Sequence, residues 1–253
     1  MEQTIELPLR WWNDQDTYEQ TTNLLSIEKT AFALIDCDGC AELEDYDYLV
    51  KMQSIAPALQ AVRRCGMKVI YFHNAPGGEG GPGNVNKELH GTREGKVRPT
   101  PSGWKPLRLT YPEPLAPLPD EAEFQKANRN GFYDTFADQY LRTWDIQNLI
   151  LVGFSLKSCL YHTCVGAQEH NYRVIVLRDG VCPPGTKEYP DTLDPANPEG
   201  GWMRFTLLRL IETNIGYTST APELIRACQA AILEKASLTA KEEAKEGEES
   251  RHH

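Results

Sequence analysis

Short apolar segments alternate along this chain with longer stretches of helical spacing, and this alternation constrains the fold more than any other feature. Four segments have the near-continuous apolar character of strands buried on both faces. They are Thr30–Asp36, Lys68–His73, Asn148–Gly153 and Tyr172–Leu177. Weaker strands are expected at Glu123–Ala127 and Tyr217–Thr220. Because strands that alternate with helices form a sheet covered on both faces, the sequence predicts a three-layer α/β/α fold with a mainly parallel sheet of about six strands.

The stretches between these strands divide into helices and one long irregular connection. Helices are expected at Leu49–Cys65, Thr135–Thr143, Leu156–His170, Gly200–Thr213 and Pro222–Leu233. In contrast, Asn74–Pro119 is rich in Gly, Pro and Asn and has no apolar period, and connections of this length usually have a function. Its Gly78–Gly83 segment fits the pattern G-x-G-x-x-G. Because it does not join a strand directly to a helix, we interpret it as a loop and not as a dinucleotide site.

The two ends of the chain differ from its alternating middle. Residues 1–28 are polar with three aromatic side chains and no clear period, which predicts an arm on the surface or on a neighbouring subunit. Residues 29–233 contain the alternating strands and helices and are expected to form one α/β domain. Residues 234–253 are rich in Lys and Glu, so we expect a disordered tail.

Charge and hydropathy exclude two classes of partner. The chain has 26 Lys and Arg against 36 Asp and Glu, so its formal net charge is −10. Nucleic-acid binding needs clustered cations, and we expect no nucleic-acid partner. Apolar runs such as Leu149–Val152 are far shorter than the roughly 18 residues of a membrane span, so no membrane partner is expected either.

Seven cysteines are scattered through the chain. An odd number at irregular spacing does not resemble the disulfide framework of a small secreted protein. The first segment, Met1–Leu9, contains two glutamates and lacks the apolar core of a secretory signal. We therefore expect a cytoplasmic protein in which each cysteine is either a buried apolar group or a reactive thiol.

Polar residues that follow the strands are candidates for a functional site, because ligands of parallel sheets bind beyond the carboxyl ends of the strands. The strongest signal is in Gly153–Cys159, where a strand ends at the glycine and the cysteine falls in the first turn of a helix. The N–H groups of that turn can lower a thiol pKa below its ordinary value of about 8.5. Asp36 and Lys126 lie at two other strand ends. The sequence thus predicts a nucleophile, its base and an orienting cation at one edge.

Two other cysteine patterns offer alternatives. Cys37 and Cys40 form a C-x-x-C motif directly after a strand, which is where a redox pair would lie. The acidic residues that follow would raise a thiol pKa instead of lowering it. A zinc site could draw on Cys37, Cys40, Cys159, His162 and Cys164. Helical spacing would turn the last three side chains around much of a helix, so we expect no metal site.

Four segments resemble the isochorismatase-like cysteine hydrolase superfamily. Thr30–Asp36 resembles its opening strand, which ends in the catalytic aspartate, and Lys126–Thr135 is similar to the segment with the catalytic lysine. Gly153–Thr163 resembles the turn in which the cysteine follows the glycine by six residues, and His170–Gly180 matches the next strand and its terminal acid. The resemblance extends from about Thr30 to Ile232.

The resemblance implies a hydrolase with the catalytic triad Asp36, Lys126 and Cys159 and with no cofactor. Asp36 would deprotonate Cys159, and the thiolate would attack a carbonyl carbon to form a thioester that water hydrolyses. The N–H groups of Ser155 and Cys159 would form the oxyanion hole, next to a cis peptide bond between Phe154 and Ser155. Family analogy also implies a homo-oligomer, either a dimer or a tetramer.

The chain departs from the family pattern at two points. Leu156 and Lys157 stand where the family usually has polar residues before the cysteine. The segment after the second strand also lacks the Asp and His pattern with which the nicotinamidase branch binds a metal, so the resemblance implies no catalytic metal. Members that cleave the vinyl ether of isochorismate do not need the thiol, and Cys159 therefore favours an amide, ureido or carbamoyl substrate.

The expected partner is a small linear molecule, and six residues near the predicted mouth are candidates for contacts with it. They are Phe132, Phe154, His73, Asn74, Arg129 and Trp104. Two alternatives stay open: a vinyl-ether hydrolase of the isochorismatase type, and a catalytically silent binding scaffold. The effect of removing the Cys159 thiol distinguishes the amidohydrolase from the first of these.

Overall fold

The chain forms one eight-stranded sheet in a computed structural model that describes residues 2–38, 49–74, 111–126, 128–181 and 202–249. The strands are β1 (Thr4–Trp12), β2 (Tyr18–Ser26), β3 (Thr30–Ile35), β4 (Lys68–Asn74), β5 (Ala122–Lys126), β6 (Asn148–Gly153), β7 (Arg173–Val181) and β8 (Tyr217–Ser219). Their order across the sheet is β2-β1-β8-β7-β6-β3-β4-β5. Strands β3 to β8 run parallel, whereas β1 is antiparallel to both β2 and β8.

Five α-helices accompany the sheet in the described part of the chain. They are α1 (Ala56–Cys65), α2 (Ala137–Thr143), α3 (Cys159–Glu169), α4 (Trp202–Asn214) and α5 (Ala221–Glu249). A π-helical turn, Lys51–Ile55, leads into α1, and a 3-10 turn, Glu113–Leu115, precedes β5. Gly66 ends α1 in the left-handed conformation that glycine adopts readily. None of these helices is both long and apolar enough to cross a membrane.

The helices lie on both faces of the sheet, which confirms the three-layer prediction. Strand β3 is buried along its whole length, and its alternate residues belong to two separate apolar clusters. Phe32 and Leu34 pack in one cluster with residues of α1 and α5. Ala33 and Ile35 pack in the other with residues of α2, α3 and α4. The six predicted strands are all present and parallel, and the sheet has two further strands.

The two further strands come from the N-terminal residues, for which a surface arm was predicted. This prediction is wrong for residues 2–28, which contain the β1–β2 hairpin. Ile5, Leu7 and Leu9 alternate with more exposed residues, are at most 1% exposed and join the cluster that contains α5 residues. An alternation with a period of two is the strand pattern, and it was present in the sequence despite Pro8.

The prediction of a disordered C-terminal tail is also wrong for most of that segment. Residues 234–249 continue α5, while residues 250–253 lie outside the described residues. Ala, Lys and Glu have high helix propensity, and a helix that is already docked adds residues without a new nucleation cost. Polar composition alone was therefore a poor guide to the conformation of this segment.

Candidate active site

Three strand ends bring a carboxylate, an ammonium and a thiol together. Asp36 directly follows β3, Lys126 is the last residue of β5, and Cys159 begins α3 after β6. The Lys126 Nζ donates hydrogen bonds to Asp36 Oδ2 at 2.9 Å and to Asn74 Oδ1 at 2.6 Å. The Cys159 thiol is hydrogen-bonded to the Asp36 carboxyl group. The three residues that were predicted to be catalytic thus lie in one cluster.

The ion pair in this cluster is buried. The Lys126 side chain has no exposed surface, and the Asp36 side chain is 13% exposed. Lys126 reaches Asp36 across β4, and Asn74, its register partner on β4, lies between them. A buried charge is tolerated only when it is paired and hydrogen-bonded, so the carboxylate and the amide oxygen together hold the ammonium in place.

Gly153 allows the turn that carries the cysteine to approach Asp36 closely. Its φ is +115°, and a Cβ at this position would lie 2.1 Å from the carbonyl oxygen of Ile35. The next residue, Phe154, donates its N–H to that same carbonyl at 2.8 Å. Only glycine both adopts this positive φ readily and leaves room for the Ile35 carbonyl.

We expect Gly153→Ala to destabilise the protein strongly. The backbone conformation alone would cost about 1–3 kcal/mol, and the contact with the Ile35 carbonyl adds to it. The free energy of unfolding from urea denaturation checks the prediction. Gly66→Ala is the matched control, since this glycine also has a positive φ but nothing lies within 4 Å of the added Cβ. A smaller loss for Gly153→Ala than for the control would contradict the assigned role.

The turn after Gly153 places Cys159 at the start of a helix. The peptide bond between Phe154 and Ser155 is cis, as the resemblance implied. The carbonyl of Ser155 accepts the N–H groups of Ser158 at 2.9 Å and Leu160 at 3.2 Å, which closes the turn onto α3. Cys159 is 6% exposed, and its own N–H belongs to the first turn of the helix.

The segment that follows Lys126 is docked on the helix that carries Cys159. Thr163, one turn after the cysteine, accepts the N–H of Gly131 at 3.0 Å and donates to the carbonyl of Arg129 at 3.3 Å. At Gly166, one more turn along, a Cβ would lie 2.2 Å from Asn130 Oδ1. These contacts fix the position of the lysine segment relative to the thiol.

Burial shifts the pKa values of two groups in the cluster. It raises the pKa of Asp36 above its ordinary value, although Lys126 and the hydrogen bond with Cys159 lower it. Burial and the negative charge of Asp36 also raise the pKa of Cys159 to about 12, against the opposing effect of Lys126. The expectation of a lowered thiol pKa is therefore wrong. Both shifts have the same main cause, because burial disfavours the charged form of each group.

The structure assigns other contacts to three of the predicted substrate residues. Asn74 holds the ammonium of Lys126, and His73 is buried, with its Nδ1 3.5 Å from the carbonyl oxygen of Asn74. The carbonyl of Arg129 accepts a hydrogen bond from the Thr163 hydroxyl group on α3. Trp104 lies outside the described residues.

The two aromatic candidates are core residues. Phe132 is 6% exposed, and its ring packs against those of Phe72, His170 and Tyr172. His170 caps the end of α3 opposite to Cys159, and a contact between Phe132 and a substrate stays a prediction. Phe154 is 8% exposed and packs in the cluster on the other face of the sheet.

Sequence reasoning missed Lys51, a buried lysine close to the cysteine turn. It is 4% exposed, and its Nζ donates to the carbonyl of Asp38 at 3.1 Å and lies 5.2 Å from the ring centroid of Phe154. It thereby ties the segment after Asp36 to the turn before Cys159. The available signal was a lysine one turn before Ile55, on the apolar face of the predicted helix.

The remaining cysteines and His162 bear on the redox pair and the zinc site that the sequence offered as alternatives. Cys37 is fully buried, burial raises the pKa of its thiol, and Cys40 lies outside the described residues. On α3, His162 is exposed whereas Cys164 is fully buried, so their side chains lie on different sides of the helix. Of the two departures from the family pattern, Leu156 is buried beside Cys159 in the core, and Lys157 is exposed.

Comparison with models of protein families gives one match that covers most of the chain. The model of the isochorismatase domain matches residues 30–204, which include all three residues of the cluster. The chain belongs to the isochorismatase family. The resemblance to the isochorismatase-like cysteine hydrolase superfamily is thereby confirmed, and the β1–β2 hairpin precedes the matched part of this family member.

Relatives of this isochorismatase-family protein include amidohydrolases. It is 25% identical to the ureidoacrylate amidohydrolase RutB of Azorhizobium caulinodans over 80% of this chain and 92% of that one. It is 27% identical to RutB of Methylorubrum extorquens over 85% of each chain. A cysteine hydrolase from Pseudomonas syringae pv. phaseolicola has the same fold, with a TM-score of 0.62 and 22% identity over 82% of this chain and 95% of its own.

Proposed function

We propose that the protein is a metal-independent cysteine amidohydrolase that cleaves a C–N bond of a small linear amide, ureido or carbamoyl compound. The observation that carries the proposal is the buried cluster in which the Asp36 carboxyl group bonds to both the Lys126 ammonium and the Cys159 thiol. A base beside a nucleophile, held by a third group, is the arrangement needed for acyl transfer. The names of the RutB relatives support a ureido or amide substrate.

The first half of the reaction forms a thioester. Asp36 takes the thiol proton as the sulfur of Cys159 attacks the carbonyl carbon. The N–H groups of Ser155 and Cys159 donate to the oxygen that becomes negative, as in other oxyanion holes. The tetrahedral intermediate then collapses, the C–N bond breaks, and the proton passes from Asp36 to the leaving nitrogen.

The second half returns the enzyme to its resting state. Water attacks the thioester carbon, and Asp36 takes a proton from it. The C–S bond breaks, and the sulfur regains a proton from Asp36. Lys126 holds Asp36 through their hydrogen bond in both halves of the reaction and favours the ionised form of Asp36.

Ammonia release and trapping of the intermediate test the proposal. Wild-type protein would be incubated with biuret, ureido acids, carbamoyl amino acids, maleamate and nicotinamide, with and without a chelator. We expect turnover of at least one linear compound that does not respond to the chelator. We also expect hydroxylamine to divert the acyl group to a hydroxamate. Turnover without any hydroxamate at saturating hydroxylamine would contradict the thioester, and turnover that the chelator abolishes would contradict metal independence.

The pH profile of kcat/KM follows from the two raised pKa values. Asp36 must be ionised to accept the proton, so activity should fall as the pH drops through its pKa, which lies above the ordinary carboxyl value. The thiol must carry its proton in the resting state, and its pKa of about 12 predicts no loss from Cys159 below that pH. We expect one acidic limb followed by a plateau. A loss of activity near the ordinary thiol pKa of about 8.5 would contradict this assignment.

A further inference from the structure

A second pair of reactive groups lies away from the cluster, between the two helices that cover one face of the sheet. Cys65 is the last residue of α1 and Cys228 lies on α5, and both are free thiols. Their sulfur atoms are 3.5 Å apart, although 163 positions separate them in the sequence. Both belong to the apolar cluster opposite to the one that contains Cys159.

We propose that Cys65 and Cys228 form a disulfide when a hydroperoxide oxidises the protein, which links α1 covalently to α5. A disulfide has an S–S distance of about 2.05 Å, so the two sulfur atoms would need to approach by about 1.5 Å. The approach is local because Cys65 is at the end of its helix. The next residue, Gly66, has φ +83°, and nothing lies within 4 Å of where its Cβ would be.

The surroundings assign different roles to the two thiols. Cys65 is 7% exposed, whereas Cys228 is fully buried, so a small oxidant meets Cys65 first. The hydrogen bond between the sulfur atoms lowers the pKa of Cys65 and raises that of Cys228. Because the thiolate is the form that attacks a peroxide, Cys65 is the group oxidised first and Cys228 the group that resolves it.

The two steps balance with one molecule of hydroperoxide. The Cys65 thiolate attacks one peroxide oxygen, the O–O bond breaks, and the products are a sulfenic acid and water or an alcohol. The Cys228 sulfur then attacks the Cys65 sulfur, the S–O bond breaks, and water leaves with the thiol proton. Two electrons pass from the thiol pair to the peroxide, and a dithiol reductant reverses the change.

Peptide mapping of the full chain tests the pair directly. Trypsin would release Cys65 in the peptide 65–68 and Cys228 in the peptide 227–235, and each contains no other cysteine. After hydrogen peroxide treatment and blocking of the remaining thiols, we expect these peptides joined and two hydrogens lighter than their sum. Cys65→Ser and Cys228→Ser should each abolish the joined species. Cys164→Ala, which removes a fully buried thiol of α3, should retain it.

The melting temperature of the wild-type protein provides a second test, which does not depend on whether the variants fold. A disulfide that closes a loop of this length should raise the melting temperature of the wild type by roughly 5–10 °C, and a dithiol reductant should reverse the rise. Oxidation should cause no such rise in Cys228→Ser. A wild-type protein in which peroxide modifies Cys65 without joining the two peptides would overturn the proposal, as would a joined species without any rise in melting temperature.

Discussion

Replacing Cys159 with alanine is expected to reduce ammonia release by at least about 10⁴-fold, because no other group of the cluster can form the thioester. The variant should fold normally, since the change removes one sulfur atom from a side chain that is 6% exposed. Initial rates with the best substrate of the panel, measured beside the melting temperature, check both parts of the prediction.

The matched control for this variant is Cys164→Ala. Cys164 lies on the same helix and is fully buried, and it contacts neither Asp36 nor Lys126 in the described hydrogen bonds. We expect this variant to lose some stability through the small cavity but to keep kcat within a few-fold of the wild type. Full ammonia release by Cys159→Ala would refute the thioester. The vinyl-ether alternative instead predicts no ammonia release from the panel and cleavage of isochorismate that survives the loss of the thiol.

Asp36→Asn is expected to lower kcat/KM by about 10²–10⁴-fold, because the amide cannot accept the thiol proton. The asparagine oxygen can still accept the hydrogen bond from Lys126, so the fold should be retained. The same change should lower the pKa of Cys159, since the Asp36 charge raises that pKa and Lys126 opposes it. The variant should therefore ionise its thiol more easily and yet hydrolyse more slowly.

Two measurements separate these effects. The ultraviolet absorbance of the thiolate, titrated in Asp36→Asn and in the double variant with Cys159→Ala, gives the thiol pKa by difference. Asp38→Asn is the control, because this carboxylate also raises the pKa of Asp36 but does not bond to the thiol. It should stay active and move the acidic limb of the pH profile to lower pH. If Asp36→Asn lowers the thiol pKa and hydrolysis persists, Asp36 is not the base.

Sequence patterning found the central parallel strands most clearly, because those strands are buried on both faces. A strand such as β3 or β6 has an apolar residue at nearly every position, and this pattern does not depend on the rest of the fold. The same reasoning failed for β1, which has one polar and one apolar face and contains a proline. There, the alternation of Ile5, Leu7 and Leu9 was the signal.

Sequence reasoning also found the three residues of the cluster, but not what surrounds them. Asp36, Lys126 and Cys159 were recognised because each stands at a strand end or a helix start. Their partners could not be found in this way. Asn74 and Lys51 contact the cluster and the cysteine turn through side chains that come from other elements, so spacing along the chain did not indicate these contacts.

The sequence by itself determined the order of the six parallel strands and the helices between them, the glycine before the cysteine turn and the three residues of the cluster, because these depend on local spacing and residue type. The tertiary structure decided the pKa shifts of Asp36 and Cys159. Helix position alone predicts a lowered thiol pKa, yet burial and the nearby carboxylate raise it to about 12. Desolvation and charge proximity depend on which strands become neighbours, and that arrangement exists only in the folded chain.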